Sequence, residues 1–566
     1  MKIDPKIAYF SMEIGLDADI PTYSGGLGVL AGDTLKSCAD LEIPIVAVTL
    51  AYNSGYFYQM LGYDGTQIER DVRWDFGAVL DKAPVTIKVN IQGKDVLVDA
   101  WVYEVIGHTG HRIPIYLLNT DIEGNEEWQK NFTRVLYDAT PFQRICQEII
   151  LGIGGVKILK AMKYNNIHTF HSNEGHAAFL TLELLKDLKD VEQVRKKTVF
   201  TTHTPVPAGH DRFDYGLVND VFRNNLLPDD IKKYAGKDQL NMTHLALYFS
   251  RYINGVSKKH SEVAQKMYPN YKINGITNGV HTVRWIHPEF ADYFREALPN
   301  WKHDPSVFDR AYLLDSNEIW RIHQRIKSKL LDYEKSHSWV LMDQKLLTIG
   351  FARRVTKYKR ATLILKDIDR LGKIAKGRAQ LVWCGKTHPR DQDGKNIIKH
   401  IFWASEYLWD NYRVGLAFLG NYDMDLGSLI TAGVDVWLNN PMRYLEASGT
   451  SGMKAAHNGV LNFSVLDGWF IEGYAMSGGM AGWKIGPKPS EPNAEINNDD
   501  ADANDIYETL ENEIIPTYYN KQNDWIERMK QAIRLIPYFN THRMVNEYAT
   551  QAWNLKPQPR WTTTSD

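Results

Sequence analysis

Short runs of Val, Ile, Leu and Thr alternate along this chain with stretches whose apolar residues recur at helical spacing, the signature of parallel sheets flanked by helices. In the first half the pattern predicts strands over 45–50, 167–170 and 199–202 and helices over 29–41 and 176–188. Between them, 85–91, 96–105 and 113–118 alternate apolar and polar residues more strictly. Gln92-Gly93 supplies a tight turn there, so an antiparallel meander inserted in the first domain is expected. The second half repeats the α/β rhythm, with strands predicted over 346–351, 381–384, 414–419, 434–438 and 460–465. The expected fold is α/β, with two doubly wound Rossmann-like domains that receive ligands at the carboxyl ends of their strands, facing a cleft.

At 566 residues the chain is too long for one hydrophobic core. A polar, glycine-containing join at 276–281 divides it into an N-terminal domain over 1–281, with a Gly-rich loop and the meander, and a C-terminal domain over 282–566. A final helical stretch is expected over 526–553. Segment 487–505 is rich in Pro, Asn and Asp without periodicity and reads as a loop. Asp500, Asp502, Asn504 and Glu511 mimic a calcium-loop spacing there, but Asp505 stands where such a loop needs Gly, and Asp505 with Glu508 reads as a helix capping box.

Charge narrows the partners. Sixty-six Lys and Arg balance 68 Asp and Glu, a formal charge of −2, so no global basic field serves nucleic acid or an acidic membrane, and any anion site must be built locally. Cys38, Cys146 and Cys384 lie far apart without CxxC spacing, against a disulfide framework or a zinc site. No apolar signal core opens the chain, and no apolar run nears the ~20 residues of a membrane helix, so a cytoplasmic protein is expected, with no metal.

The most informative stretch runs Glu446-Ala447-Ser448-Gly449-Thr450-Ser451-Gly452-Met453-Lys454 and on to Gly459. It follows the predicted strand 434–438 and places a lone lysine on the first turn of a new helix, past a Gly/Ser/Thr bend. Amides at the helix N-terminus and the hydroxyls of Ser448, Thr450 and Ser451 suit an anion, and Lys454 suits a Schiff-base anchor for pyridoxal phosphate. A tight turn with an exposed lysine is the competing reading. Ser24-Gly25-Gly26-Leu27-Gly28 precedes a helix and lets bare backbone approach a phosphate or sugar, though it lacks the dinucleotide fingerprint. Arg353, Arg354, Lys357, Lys359 and Arg360 follow a strand and place cations on the ligand edge; a solvated helix face is the alternative. His176 and His203 end two further strands, as site residues or as structural histidines.

Glu-Ala-Ser-Gly, then Met-Lys, then Asn resembles the cofactor-attachment segment of the α-glucan phosphorylases: glycogen, starch and maltodextrin phosphorylases. His457 stands where that family usually has Leu or Met. The resemblance implies a glycosyltransferase-B fold, with the last helix crossing back to the first domain, and pyridoxal phosphate as cofactor. It implies that Gly25, Gly26 and Leu27 form the Gly-Gly-Leu-Gly loop near substrate, and that Arg354 and Lys359 hold the reacting phosphate. Arg353 replaces a lysine at a cofactor-phosphate contact, a change that keeps charge and alters geometry. His203 is implied to orient the glucosyl unit, with His176 a second site histidine and Asn278 a sugar contact. Trp285, Tyr422, Thr450, Ser451, Gly452 and Lys454 are implied around the cofactor, and Glu446, Ala447, Ser448 and Gly449 around the glucose hydroxyls. Asp423 follows Tyr422 where the family commonly has Arg, which removes a cation.

The implied reaction is reversible phosphorolysis of terminal α-1,4-glucosyl units to α-glucose 1-phosphate with retention, with catalysis by Lys454, Arg354, Lys359 and His203. Implied partners are the α-glucan, inorganic phosphate and glucose 1-phosphate, with a homo-oligomer left open. The rivals are a glycogen or starch synthase using nucleotide-activated glucose, which typically has Glu where Lys454 stands, and a glucan-binding protein without catalysis.

Overall fold

Six consecutive buried residues, Ile45–Leu50, form a strand with neighbours on both sides, as an unbroken apolar run in a parallel sheet requires. A computed structural model describes residues 4–138, 140–223, 227 and 230–556. The chain divides into two units. The first comprises Met1–Phe57, Asp71–Thr277 and Met544–Asp566, and the second Tyr58–Arg70 and Asn278–Arg543. The protein is mixed α/β, with a parallel sheet in each unit.

In the first unit a nine-stranded sheet runs in the order Ile273–Gly275, Tyr252–Gly255, Thr198–Thr201, Thr169–Asn173, Ile7–Ser11, Ile45–Leu50, Arg112–Asn119, Lys94–Ile106, Asp81–Ile91. Pairing is parallel as far as Arg112–Asn119 and antiparallel through the last two strands. The predicted meander is thus the edge of the main sheet, because Arg112–Asn119, buried at every residue after the first, pairs in parallel with Ile45–Leu50. Helix Gly26–Asp40 begins straight after Gly25 and buries most of its length. At the C-terminal end, the Tyr548 hydroxyl accepts from Asn254 Nδ2 at 2.9 Å in this unit's polar core, and Trp553 Nε1 donates to His171 Nδ1 at 3.1 Å.

In the second unit a six-stranded parallel sheet is ordered Leu416–Leu419, Ala379–Cys384, Leu347–Ala352, Val436–Asn439, Leu461–Val465, Gly482–Ile485. The hairpin Tyr58–Leu61/Gln67–Arg70 belongs to this unit although its sequence neighbours belong to the other. Gln59 Nε2 donates to Gly385 O at 3.0 Å and Gln67 Nε2 to Thr387 O at 2.9 Å, so the hairpin takes up backbone carbonyls beyond a strand end.

Three expectations are corrected. The stretch 526–553 is not one helix: Gln522–Ile533 ends before Pro537, and a new helix starts at Thr541. Segment 487–505 is not all loop. A helix spans Asp499–Thr509, capped by Asn498 Oδ1, which accepts from the amides of Asp500 and Ala501 at 3.1 Å each. The expected capping box at Asp505 fails, since Asp505 lies inside that helix and accepts from Gly486 N. Of the residues that mimicked a calcium loop, Asp500 and Asp502 lie in its first turn, where they suit the helix dipole, and Glu511 lies beyond its last residue. Asp502 among them is buried against Arg443, 2.8 Å away.

Candidate active site

Parallel pairing of Leu347–Ala352 with Val436–Asn439 brings two strand ends side by side in the second unit, and the chain leaves each end into a segment singled out from sequence. Arg353 follows the first strand and Glu446 lies in the loop after the second. Arg353 Nη2 lies 2.7 Å and Lys359 Nζ 2.9 Å from one oxygen, Glu446 Oε2. Arg353 also donates to Asn439 Oδ1. Burial would raise the Glu446 carboxyl, but the two cations hold it at about 2. Burial and the neighbouring charge of Arg353 push Lys359 down to about 7 in spite of Glu446. Arg354 is exposed, and its charge is close enough to contribute to the lowering of Lys359.

Gly449 adopts φ +81°, a left-handed conformation suited to glycine, and opens helix Thr450–His457 with no side chain capping it. The exposed-lysine alternative is excluded: Lys454 is 6% exposed, and its ammonium lies 3.6 Å from the ring centroid of buried Trp285. It sits on the second turn of the helix, not the first. Asn458 ties the two together, donating to Trp285 O at 2.8 Å and Lys454 O at 2.9 Å. Ser451 Oγ meets Trp437 Nε1 at 3.3 Å, and Gly452 O accepts from Asn462. Ser448 Oγ and Arg353 Nε are buried without a hydrogen-bond partner, as is Asn278 Oδ1 in the same unit. A buried ammonium against an aromatic face, unpaired donors and an uncapped helix N-terminus fit a planar ring bearing an anionic tail.

The departures from the family pattern have local explanations. Asp423 caps helix Met424–Gly433, accepting from Leu426 N at 2.8 Å, and Tyr422 just before it is half-buried. His457 is buried at the helix C-terminus; its Nδ1 lies 2.8 Å from Met453 O, and burial holds the ring neutral, at about 4.

The first unit holds the remaining candidates. Gly26 is exposed, and Gly25 N and Ser24 N donate to Glu13 Oε2 at 3.1 and 2.6 Å, so part of the amide cradle is satisfied within the protein. A Cβ on Gly28 would lie 2.7 Å from that same Glu13 oxygen, so the last glycine of the loop makes room for the carboxylate. Glu13 Oε1 accepts from Tyr137, whose ring packs on His176 and under Arg144. Arg144 pairs with Asp211 at 2.6 Å, and His176 Nε2 lies 3.5 Å from Asp211. Burial, aided by Arg144, keeps His176 neutral, at about 4. His203 Nε2 meets Asn173 Oδ1 at 2.7 Å, and burial pushes its ring down to about 3.

Sequence reasoning missed four supports. Glu174, at φ 70°, accepts from the amides of His203 and Gly175 and from Thr204 Oγ1. Asn173 orients His203, and Glu13 orders the Gly loop. Asp467 accepts from Glu446 N at 3.0 Å and is raised by burial to about 7, with the charge of Glu446 adding to the rise. Glu174 and Asn173 flanked recognised positions; Glu13 and Asp467 carried no local signal.

Comparison with known proteins identifies the family. The sequence profile described as carbohydrate phosphorylase matches residues 221–514. The chain is 38% identical to the maltodextrin phosphorylase of Thermococcus litoralis, over 98% of its own length and 71% of that protein's. It is 37% identical to the glycogen phosphorylase of Mycobacterium tuberculosis, over 96% and 70% of the two chains, and 35% identical to that of Aquifex aeolicus, over 97% and 86%. These likenesses set the class, a glycosyltransferase. More particularly, the chain belongs to the carbohydrate phosphorylase family, and its activity is of the glycogen phosphorylase type. Among the described residues no helix is long and apolar enough to cross a membrane.

Proposed function

We propose that the protein catalyses reversible phosphorolysis of terminal α-1,4-glucosyl units of glycogen or maltodextrin, giving α-glucose 1-phosphate with retained configuration and using pyridoxal phosphate. The observation that carries the reading is the second unit's pairing of Arg353 and Lys359 on Glu446, in the unit that also buries Lys454 against Trp285. Orthophosphate takes a charge-assisted hydrogen bond from the Lys359 ammonium that Glu446 holds at 2.9 Å in its absence, with Arg354 at the exposed side. Glu446, Ala447, Ser448 and Gly449 then offer acceptors and amides to glucose hydroxyls, and Asn278 Oδ1 gains the partner it lacks within the protein.

In the first unit the neutral imidazoles of His203 and His176 exchange hydrogen bonds with sugar hydroxyls without adding positive charge beside an oxocarbenium-like centre. The exposed Gly26 amide, in the loop of Gly25 and Leu27, serves an anionic substrate oxygen. Lys454, Thr450, Ser451, Gly452, Arg353, Tyr422 and Trp285 hold the cofactor. When bound, pyridoxal phosphate supplies a second phosphate group that shares a proton with the incoming one near neutral pH. Protonation of the departing sugar oxygen falls to orthophosphate, which then attacks the anomeric carbon.

The test is phosphate-dependent release of glucose 1-phosphate from maltodextrin by the cofactor-loaded enzyme, with the anomer assigned by NMR. Glucan synthesis from ADP-glucose without pyridoxal phosphate would overturn the reading in favour of a synthase. Maltodextrin binding with no glucose 1-phosphate formed would leave a glucan-binding protein.

A further inference from the structure

Beyond His176 in the first unit lies a carboxyl that the reaction outlined above does not use. Helix Pro141–Ile149 carries Arg144 and Glu148 one turn apart, and Glu148 is 0% exposed. Arg144 spends its donors elsewhere. Its Nε and Nη2 both donate to Asp211 Oδ2, at 3.1 and 2.6 Å. Nε has a single hydrogen, so Glu148 Oε1, only 3.3 Å from that nitrogen, receives no hydrogen bond from it. The nearby hydroxyls are committed too: Tyr52 donates to Met12 O and Tyr137 to Glu13 Oε1, each at 2.8 Å. Neither Glu148 oxygen accepts from a protein N–H among the described residues.

A fully buried carboxylate without a donor, beside a second carboxylate, is too costly to stay ionised. As the acid it brings its own donor. Burial and the charge of Asp211 push the Glu148 carboxyl well above the carboxylate range. Burial alone would raise Asp211 as well, but Arg144 outweighs it and holds Asp211 well below that range. A hydrogen bond joins the two carboxyls, which requires one proton between them, and the asymmetry puts that proton on Glu148.

We propose that Glu148 is a positioning residue for His176: its acid form donates to Asp211 and so keeps Asp211 anionic and fixed between Arg144 and the imidazole. Asp211 Oδ2 faces His176 Nε2 at 3.5 Å. That places the imidazole proton on Nε2 and leaves Nδ1, buried without a protein partner, to accept from a sugar hydroxyl. Arg144, held by Asp211, lies 4.6 Å over the Tyr137 ring, and that ring packs on His176. The sugar rests on the function proposed above, whereas the carboxyl pair does not.

The experiment compares the cofactor-loaded wild type with Glu148→Gln and Glu148→Leu, by phosphorolysis kinetics on maltotetraose and by infrared difference spectroscopy at neutral pH. Gln keeps an uncharged donor toward Asp211; Leu fills the space and removes the donor. Glu148→Gln should hold kcat and both KM values within about twofold, and Glu148→Leu should lower kcat about tenfold with the phosphate KM nearly unchanged. The wild-type minus Glu148→Gln infrared spectrum should contain the C=O band of a carboxylic acid. A Gln variant as impaired as the Leu variant, wild-type kinetics in Glu148→Leu, or carboxylate bands in place of the acid band would each overturn the inference. If Glu148→Leu does not fold, the kinetics of Glu148→Gln and the infrared band still decide it. If no glucan yields glucose 1-phosphate, the proposed function fails instead, and the infrared band decides the carboxyl pair independently.

Discussion

The ammonium of Lys454 lies 3.6 Å from the ring centroid of Trp285, with both side chains buried and both backbone carbonyls bound by Asn458. A desolvated cation over an indole face is worth ~2 kcal/mol, which offsets part of the cost of burying the amine before any cofactor arrives. The lysine is therefore presented in a fixed place. Lys454→Ala should purify without the absorbance of bound pyridoxal phosphate and without a borohydride-labelled lysine, while keeping its thermal transition. A Lys454→Ala protein with stoichiometric, tightly held cofactor would refute the anchor role.

Lys359 is pushed down to about 7 by burial and by Arg353, so its ammonium is half lost near neutrality. Anion binding draws on the protonated form. As pH rises from about 7 to about 8 the charged fraction falls roughly fivefold, and the KM for phosphate should rise by about the same factor. Phosphate's own ionisation changes over this range as well. Lys359→Arg separates the two, because guanidinium stays charged and should flatten the rise. Parallel pH profiles for the two enzymes would show that Lys359 does not titrate at the phosphate site.

The parallel strands were legible because their apolar runs are unbroken: the predicted 45–50 is the observed Ile45–Leu50. The segment around Lys454 was legible because Gly, Ser and Lys recur there at fixed offsets for a local, chemical reason. What escaped depended on partners remote in sequence. The acids of 499–502 read as loop composition until Arg443 supplied a buried counter-charge for Asp502. The hairpin Tyr58–Arg70 gave no sign that its glutamines would bind carbonyls more than three hundred residues on. Arg353, Lys359 and Glu446 were each singled out, yet their meeting at one carboxylate oxygen follows from strand order, which periodicity does not encode.

Glu174 holds a backbone conformation, φ 70°, that non-glycine residues rarely adopt, and its carboxylate accepts from His203 N, Gly175 N and Thr204 Oγ1 at 2.8, 3.0 and 2.9 Å. It touches no proposed substrate atom and acts by setting the His203 segment. Glu174→Gln keeps the shape but replaces one acceptor oxygen by a donor. It should lower kcat by about tenfold to a hundredfold through misplacement of His203, with the phosphate KM nearly unchanged. Equal changes in kcat and phosphate KM would point to a general loss of fold instead.

Lys327, Asp435 and His323 form a fully buried ionic cluster in the second unit. Lys327 Nζ lies 2.5 Å from Asp435 Oδ2, and His323 Nε2 2.8 Å from Asp435 Oδ1. Asp435 also accepts from Thr348 N at 2.7 Å, so it fastens strand Leu347–Ala352, which leads into Arg353. Burial raises the Asp435 carboxyl, but Lys327 and His323 outweigh it and hold it below the ordinary range. Its contribution is thus present above the unfolded carboxylate's pKa and lost as pH falls through the lowered folded value. Lys327→Met removes the counter-charge and should cost ~3–5 kcal/mol in urea unfolding near neutral pH. Without Lys327 the remaining burial raises Asp435, so protonation relieves the variant, and its deficit should narrow from about pH 8 to about pH 5. A deficit that stays constant over that range would mean that lost packing, not an uncompensated charge, is what the substitution exposes.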